Sequence, residues 1–431
     1  MSTAHRASRR LAAALALAIP AALSAQQPSV VIRNATIVPV VGARVANGSV
    51  VVRGGRIEAV GTNVTVPAGA RVVDGTGLFV YPGMIDAGTS LGLTEIGSVP
   101  GSEDTREIGD FNAQNVALTA VNPHSELIPV TRVNGVTTVI TGANGGIVNG
   151  SAALMDLAGW TPQEMGITSR AAMVMSYPSA GGSGRRGFGP QRSAAEREEQ
   201  QSRQVRELRS YLADAKAYAE VKARLGNGAS SQRVNQAMEA MVPVVRGEQP
   251  AMFDVNTVEQ IRGVLALADS FGIKVILRGA REAWQLADTL AARRIPVIVG
   301  PSMEAPGNME PYDMIYAYPG VLDKAGVTIA FQSSEASNSR NLPYHAALAT
   351  AYGLDPEAAL RAVTINPARI FGVADRYGSI EVGKVANLVV TTGDPLDVRS
   401  IVRHVFIRGE EVPLTDRHSR LYEQFKGRPK R

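Results

Sequence analysis

Few side chains in this chain of 431 residues are suited to chemistry, and their spacing narrows the choice further. There is no cysteine, which excludes disulfides, thiolate nucleophiles and sulfur-ligated metals. The histidines are His5, His124, His345, His404 and His418; those beyond His5 read as surface or packing residues rather than metal ligands. Gly88-Thr89-Ser90-Leu91-Gly92 matches the G-x-S-x-G turn that presents a nucleophilic serine between a strand and a helix. Residues 91–100 read as loop instead of helix, so Ser90 would need His124 or His345 to reach it as a base. The segment from Gly378 to Lys384 fits G-x-x-x-x-G-K, but Val385 stands where a phosphate loop needs Ser or Thr for magnesium, and the segment joins strands. Glu95, Glu103, Asp104 and Glu107 form an acidic stretch that reads as solvated, with acid–base work open to Asp104 and Glu107 if the loop folds inward.

The elements that position these residues alternate in type. Residues 28–80 read as short strands separated by Asn, Gly and Pro turns, with Gly54-Gly55 as a hairpin turn. A second β-rich stretch lies near the other end, at residues 378–380, 386–391 and 402–409, and can pair with the first into one small sheet. Between them, apolar runs at 136–141, 171–176, 251–255, 273–277, 295–299 and 327–331 alternate with amphipathic helices predicted over 258–271, 280–292 and 356–363. That alternation implies a parallel sheet covered on both faces. Residues 178–193 are a Gly/Arg-rich loop. The charged run over 194–225 is a long helix with a solvated face.

The first 25 residues have the layout of a secretory leader. Arg6, Arg9 and Arg10 precede an apolar run over 11–23, and Leu23-Ser24-Ala25 offers a small-residue cleavage site. Pro20 and the shortness of the run argue against a membrane anchor. The expected product is periplasmic or extracellular after cleavage near Ala25, with no stable membrane span. The formal net charge is +5, and Arg6, Arg9 and Arg10 contribute three of those charges. The small remainder gives no reason to expect nucleic-acid binding. The tail over 414–431 is basic and reads as a solvated end.

One set of motifs runs through most of the chain in order. Tyr81-Pro82-Gly83-Met84-Ile85-Asp86-Ala87 resembles the Pro-Gly-x-Ile-Asp-Ala stem that opens the barrel of the metal-dependent amidohydrolases. Asn134 to Val139 resembles their second strand, Thr364-Ile365-Asn366-Pro367-Ala368-Arg369 their post-barrel helix, and Gly378 to Val390 their return to the small sheet. The nearest likeness is to imidazolonepropionase-like members. The resemblance implies an α/β fold: a distorted TIM (β/α)₈ barrel over 82–374 and a composite β-sandwich from 28–81 plus 375–413. It implies hydrolysis of C–N bonds, including cyclic amides, by water activated on one or two divalent metals such as zinc.

The resemblance also implies where the ligands belong, at the C-terminal ends of the strands, and there this sequence departs from it. In a strand, positions i and i+2 share a face, so two histidines after the stem can hold one metal. Here those positions are Gly88 and Ser90. The fifth-strand ligand position matches Asp254, the sixth-strand one Arg278, and the eighth-strand aspartate Ser334. No lysine lies in the fourth strand. If Asp254 and Arg278 both point into the mouth, the arginine brings a fixed charge that can pair with the carboxylate. Three functions stay open: a metal-dependent hydrolase; a non-catalytic binding protein that takes a small molecule at the barrel mouth or pairs with a paralogous amidohydrolase or a second copy; and a metal-free hydrolase using Ser90. The residues favour a pseudoenzyme without cofactor.

Overall fold

Apolar runs broken by glycine turns build the first sheet from both ends of the chain. In the computed structural model, residues 29–179, 193–226, 234–306 and 311–428 are described. The leader, and all but the ends of the loop 178–193, lie outside them. The N-terminal strands are β1 (Ser29–Ile37), β2 (Val45–Arg53), β3 (Arg56–Gly61), β4 (Arg71–Asp74) and β5 (Phe79–Pro82). The C-terminal strands are β14 (Leu388–Thr391), β15 (Val402–Ile407) and β16 (Glu410–Val412). They form one sheet in the order β16-β15-β14-β5-β1-β2-β3, with β4 on β1. The seam is the antiparallel pair β5–β14, in which Phe79 faces Thr391 and Pro82 faces Leu388. The two ends of the chain therefore close one sheet around the middle of the sequence.

Strand β5 passes through Gly83 directly into the barrel. A Cβ on Gly83 would overlap the Thr137 side chain, and its N–H donates to the Asn387 carbonyl at 2.8 Å. Glycine is needed here because three strands meet at one point. The barrel strands are β6 (Met84–Thr89), β7 (Val136–Thr141), β8 (Val148–Asp156), β9 (Gly166–Ser176), β10 (Ala251–Val255), β11 (Val275–Gly279), β12 (Val297–Val299) and β13 (Ile329–Phe331), hydrogen-bonded in that order. β13 returns to β6, where the Ser334 N–H donates to the Gly88 carbonyl at 2.9 Å. Ile85, Ile140, Leu154, Val174, Met252, Ile276, Ile298 and Ala330 fill the interior, as a packed barrel core requires. Phe371, Val373 and Tyr377 from the post-barrel segment pack against the same cluster.

Three features differ from the sequence reading. Strand β8 was not foreseen, and it runs antiparallel to both β7 and β9. The helix expected over 280–292 is a 3₁₀ turn, Ala283–Leu286, followed by a short helix, Ala287–Ala292. The tail, solvated as expected, is also helical: Arg417–Phe425 is a helix with no buried residue whose first turn is closed by an Asp416–Ser419 capping box. The helix Ala194–Leu225 matches its expected span and buries Leu208, Leu212, Ala215 and Ala219 while its charged face stays in solvent.

A buried polar network locks the sheet to the barrel. The Asp156 carboxylate accepts from Asn387 Nδ2 at 2.7 Å, Thr138 Oγ1 at 3.1 Å and Tyr377 OH at 3.3 Å. Burial lifts the Asp156 pKa to about 6, against the pull of those donors and of the Arg408 charge. Among the described residues, no helix is long and apolar enough to cross a membrane.

Candidate functional site at the barrel mouth

Strand alternation places the chemistry. Met252, Ile276 and Ala330 point into the core, so Asp254, Arg278 and Gln332, each two residues on, point the same way one layer higher. There they meet a cavity of about 280 Å³ at the C-terminal ends of the strands, lined also by Ser90, Ser334 and Asn144. Four of the five sequence-matched positions, Ser90, Asp254, Arg278 and Ser334, thus line one cavity. Gly88 adjoins it: a Cβ there would sit 2.5 Å from Gln332 Oε1 and 3.4 Å from Arg278 Cδ.

Asp254 and Arg278 are register partners on adjacent parallel strands, and their side chains pair end-on. Arg278 Nε donates to Asp254 Oδ1, and Nη2 donates to Oδ2 at 2.7 Å. This is the bidentate geometry that a guanidinium and a carboxylate favour. Burial works against the Arg278 charge, but the adjacent carboxylate more than offsets it and leaves the guanidinium pKa above its ordinary value. Arg281 lies 3.7 Å from Glu304 in the same cavity. Each fixed positive charge at the mouth therefore faces a carboxylate.

Gln332 was missed by the sequence reading, which looked two residues further along, to Ser334. Its signal was the alternation Ala330-Phe331-Gln332. Gln332 Nε2 donates to the Gly300 carbonyl at 2.8 Å, which fixes the amide across the space beside Gly88. Ser334 sits past the strand at φ +71°.

Beneath this layer lies Asp86, fully buried. It accepts from the Gly88 N–H at 3.1 Å, the Ser333 N–H at 3.0 Å and Ser333 Oγ. Burial raises its pKa to about 7, although those three donors oppose the shift.

The other candidates go elsewhere. Ser90 Oγ accepts from the Ala336 N–H at 3.1 Å. His345 Nδ1 accepts from the Ser302 N–H at 3.1 Å, and burial holds its pKa down to about 4. His124 lies edge-on to Trp160. Neither histidine is hydrogen-bonded to Ser90, so no nucleophilic pair is formed. Lys384 Nζ is taken up by Ser379 at 2.6 Å and Glu381 at 2.8 Å, which accounts for the phosphate-loop look-alike as a strand connection. None of Glu95, Glu103, Asp104 and Glu107 lines the mouth cavity.

The model of the amidohydrolase family matches residues 306–412, spanning the eighth strand, the post-barrel helices and the returning sheet. A crystal structure of an amidohydrolase from Thermotoga maritima MSB8 superposes with a TM-score of 0.79 at 29% identity, covering 89% of this chain and 99% of that one. Over residues 306–412 the sequence carries the amidohydrolase family's pattern, and the chain shares the fold of that amidohydrolase. Phenylurea hydrolase B (TM-score 0.54, 19% identity, 89% and 96% covered) and molinate hydrolase (0.56, 16%, 90% and 95%) share the fold. No curated protein matches the sequence.

Proposed function

We propose that this chain is a member of the amidohydrolase superfamily that no longer hydrolyses through a metal and keeps its barrel mouth as a binding site for a small polar molecule. One observation carries the reading: where a first-strand ligand side chain would begin at position 88, the Gln332 amide stands 2.5 Å away with the Arg278 stem in contact beside it. The donor set supports it. Divalent metals of this kind need three or four histidine, carboxylate or thiolate ligands. The mouth offers two carboxylates, Asp254 and Glu304, each already facing an arginine, and hydroxyl or amide groups besides. Among the described residues, no three His, Asp or Glu converge as a metal site. A divalent ion placed beside Arg278 would face a fixed like charge at close range. The residues present do not fit the family's metal.

What remains is a small concave site with a neutralised floor and neutral donors on its walls, Ser90, Ser334, Asn144 and Asn256, the build of a ligand pocket. We further propose that the protein is exported, on the strength of the leader at residues 1–25; a purified protein beginning at Gln26 would bear this out. The functional proposal is tested by metal content per chain after dialysis against metal-free buffer, together with hydrolysis of a panel of dipeptides and cyclic amides with and without chelator. No bound metal and no chelator-sensitive turnover are expected. One or two tightly held zinc, iron or manganese ions per chain would overturn it.

A further inference from the structure

The opposite end of the barrel carries a second cleft. Arg170 in β9, Lys274 just before β11, Arg293 and Arg294 just before β12, Arg369 in the last turn of the post-barrel helix and Arg376 after it all line one cavity of about 800 Å³. Lys274, Arg293 and Arg294 precede their strands and Arg170 lies in the first half of β9, so the cleft lies at the N-terminal face, away from the mouth. Only two carboxylates share it, Glu248 and Asp269. Arg293 is paired with Asp269, and Arg376 lies 3.8 Å from Asp375. Arg170, Lys274 and Arg294 make no side-chain hydrogen bond or ion pair with any described residue.

This excess of positive charge is out of proportion to the chain. The formal net charge is +5, with three of those charges in the first ten residues. One cleft therefore concentrates more positive charge than the rest of the protein shows on balance. Like charges gathered in a concavity focus the field and draw counter-ions. Five of the six cations are arginines, the side chain that grips phosphate through paired donors. They come from four separate chain segments around a cavity of ligand-binding size, so a single compact anion cannot reach them all.

We propose that this cleft binds an oligophosphate group, a run of two or more linked or neighbouring phosphates on a soluble molecule or on a lipid headgroup. The apolar edges of Ile273, Ile370 and Phe371 in the same cleft leave room for a non-polar part of that ligand.

Inorganic tripolyphosphate is the probe, titrated calorimetrically into the mature protein at physiological salt, with citrate as a compact anion of similar charge. The second arm is flotation with vesicles containing cardiolipin, whose headgroup carries two phosphates. The comparison protein is the double variant Arg294→Gln/Arg369→Gln; both side chains are exposed, so its melting temperature should match the parent's. Saturable tripolyphosphate binding, tighter than citrate and weakened about tenfold or more in the variant, is expected, since charge-assisted hydrogen bonds to phosphate are lost. Flotation that is also lost in the variant identifies a lipid headgroup as the source, and absence of flotation identifies a soluble one. No saturable binding in either arm, binding unchanged in the variant, or citrate binding as tightly as tripolyphosphate would overturn the proposal.

Discussion

The Asp254–Arg278 pair gives the sharpest test of the mouth. Arg278→Ala removes two charge-assisted hydrogen bonds from Asp254. Breaking a buried pair by deleting one partner typically costs about 3–5 kcal/mol, because the other charge is left unpaired. The Asp254 side chain is 35% exposed, so water recovers part of that loss and the expected cost is about 2 kcal/mol. The reverse deletion is worse. Arg278 is only 12% exposed, so Asp254→Ala strands a guanidinium with little access to water, and the full loss of about 3–5 kcal/mol applies. For a chain of this size those costs correspond to falls in melting temperature of roughly 2 °C and 3–6 °C. The double variant should lose less than the sum, with a coupling energy of about 2 kcal/mol. Urea unfolding followed by circular dichroism and by the fluorescence of Trp160 and Trp284 measures all three variants. Additive losses in the double variant would show that the two side chains do not depend on each other in solution, and the reading of the mouth as a neutralised pair would fall.

Asp86 has its pKa raised to about 7 by burial, so the folded state holds its proton where the unfolded chain, near pH 3.8, has released it. Stability should therefore decline as pH rises from about 4 to 7, by several kcal/mol at most, and level off above 7; Asp156 adds in the same sense up to about pH 6. Melting temperatures across this range should fall less steeply in Asp86→Asn, and an unchanged slope would remove Asp86 as the cause. Gly83→Ala would drive a methyl into Thr137 and should cost about 1–3 kcal/mol or more through overpacking, read as a lower urea midpoint. Gly88→His should likewise destabilise, because Gln332 and Arg278 hold its space, and it should not restore zinc binding by itself; tight zinc in that variant would mean the mouth is closer to a metal site than its donors indicate. Asn387→Ala strips Asp156 of its nearest donor and should cost about 1–3 kcal/mol as a buried acceptor is left unsatisfied.

The stem Pro82-Gly83-Met84-Ile85-Asp86, the strand spans at 136–141 and 251–255, and the return over 378–390 were legible because each is local: a turn residue, a run of β-branched side chains, a glycine where chains crowd. That Gly88 has no ligand atom, and that Ser90, Arg278 and Ser334 offer neither imidazole nor carboxylate, was legible for a simpler reason, since folding adds no atoms to a side chain. Asp254 and Arg278 could be named from the sequence as facing positions, but only the parallel register of β10 and β11 puts their head groups against each other.

Other features depended on contacts between distant segments. Strand β8 runs backwards through the barrel because β7 and β9 accept it on either side, and a single-strand pattern carries no direction. Gln332 gains its role from Gly88, 244 positions away in the chain, through a glycine that leaves space and an amide that fills it. The cations of the lower cleft lie in four stretches that look ordinary one at a time, and they become a site only when the barrel brings the starts of its strands together. The sequence by itself determined which atoms are available and which local elements they ride on. The tertiary structure alone decided which of those atoms share a cavity, because charge pairing, crowding and burial depend on distance in space, and closing the barrel sets that distance.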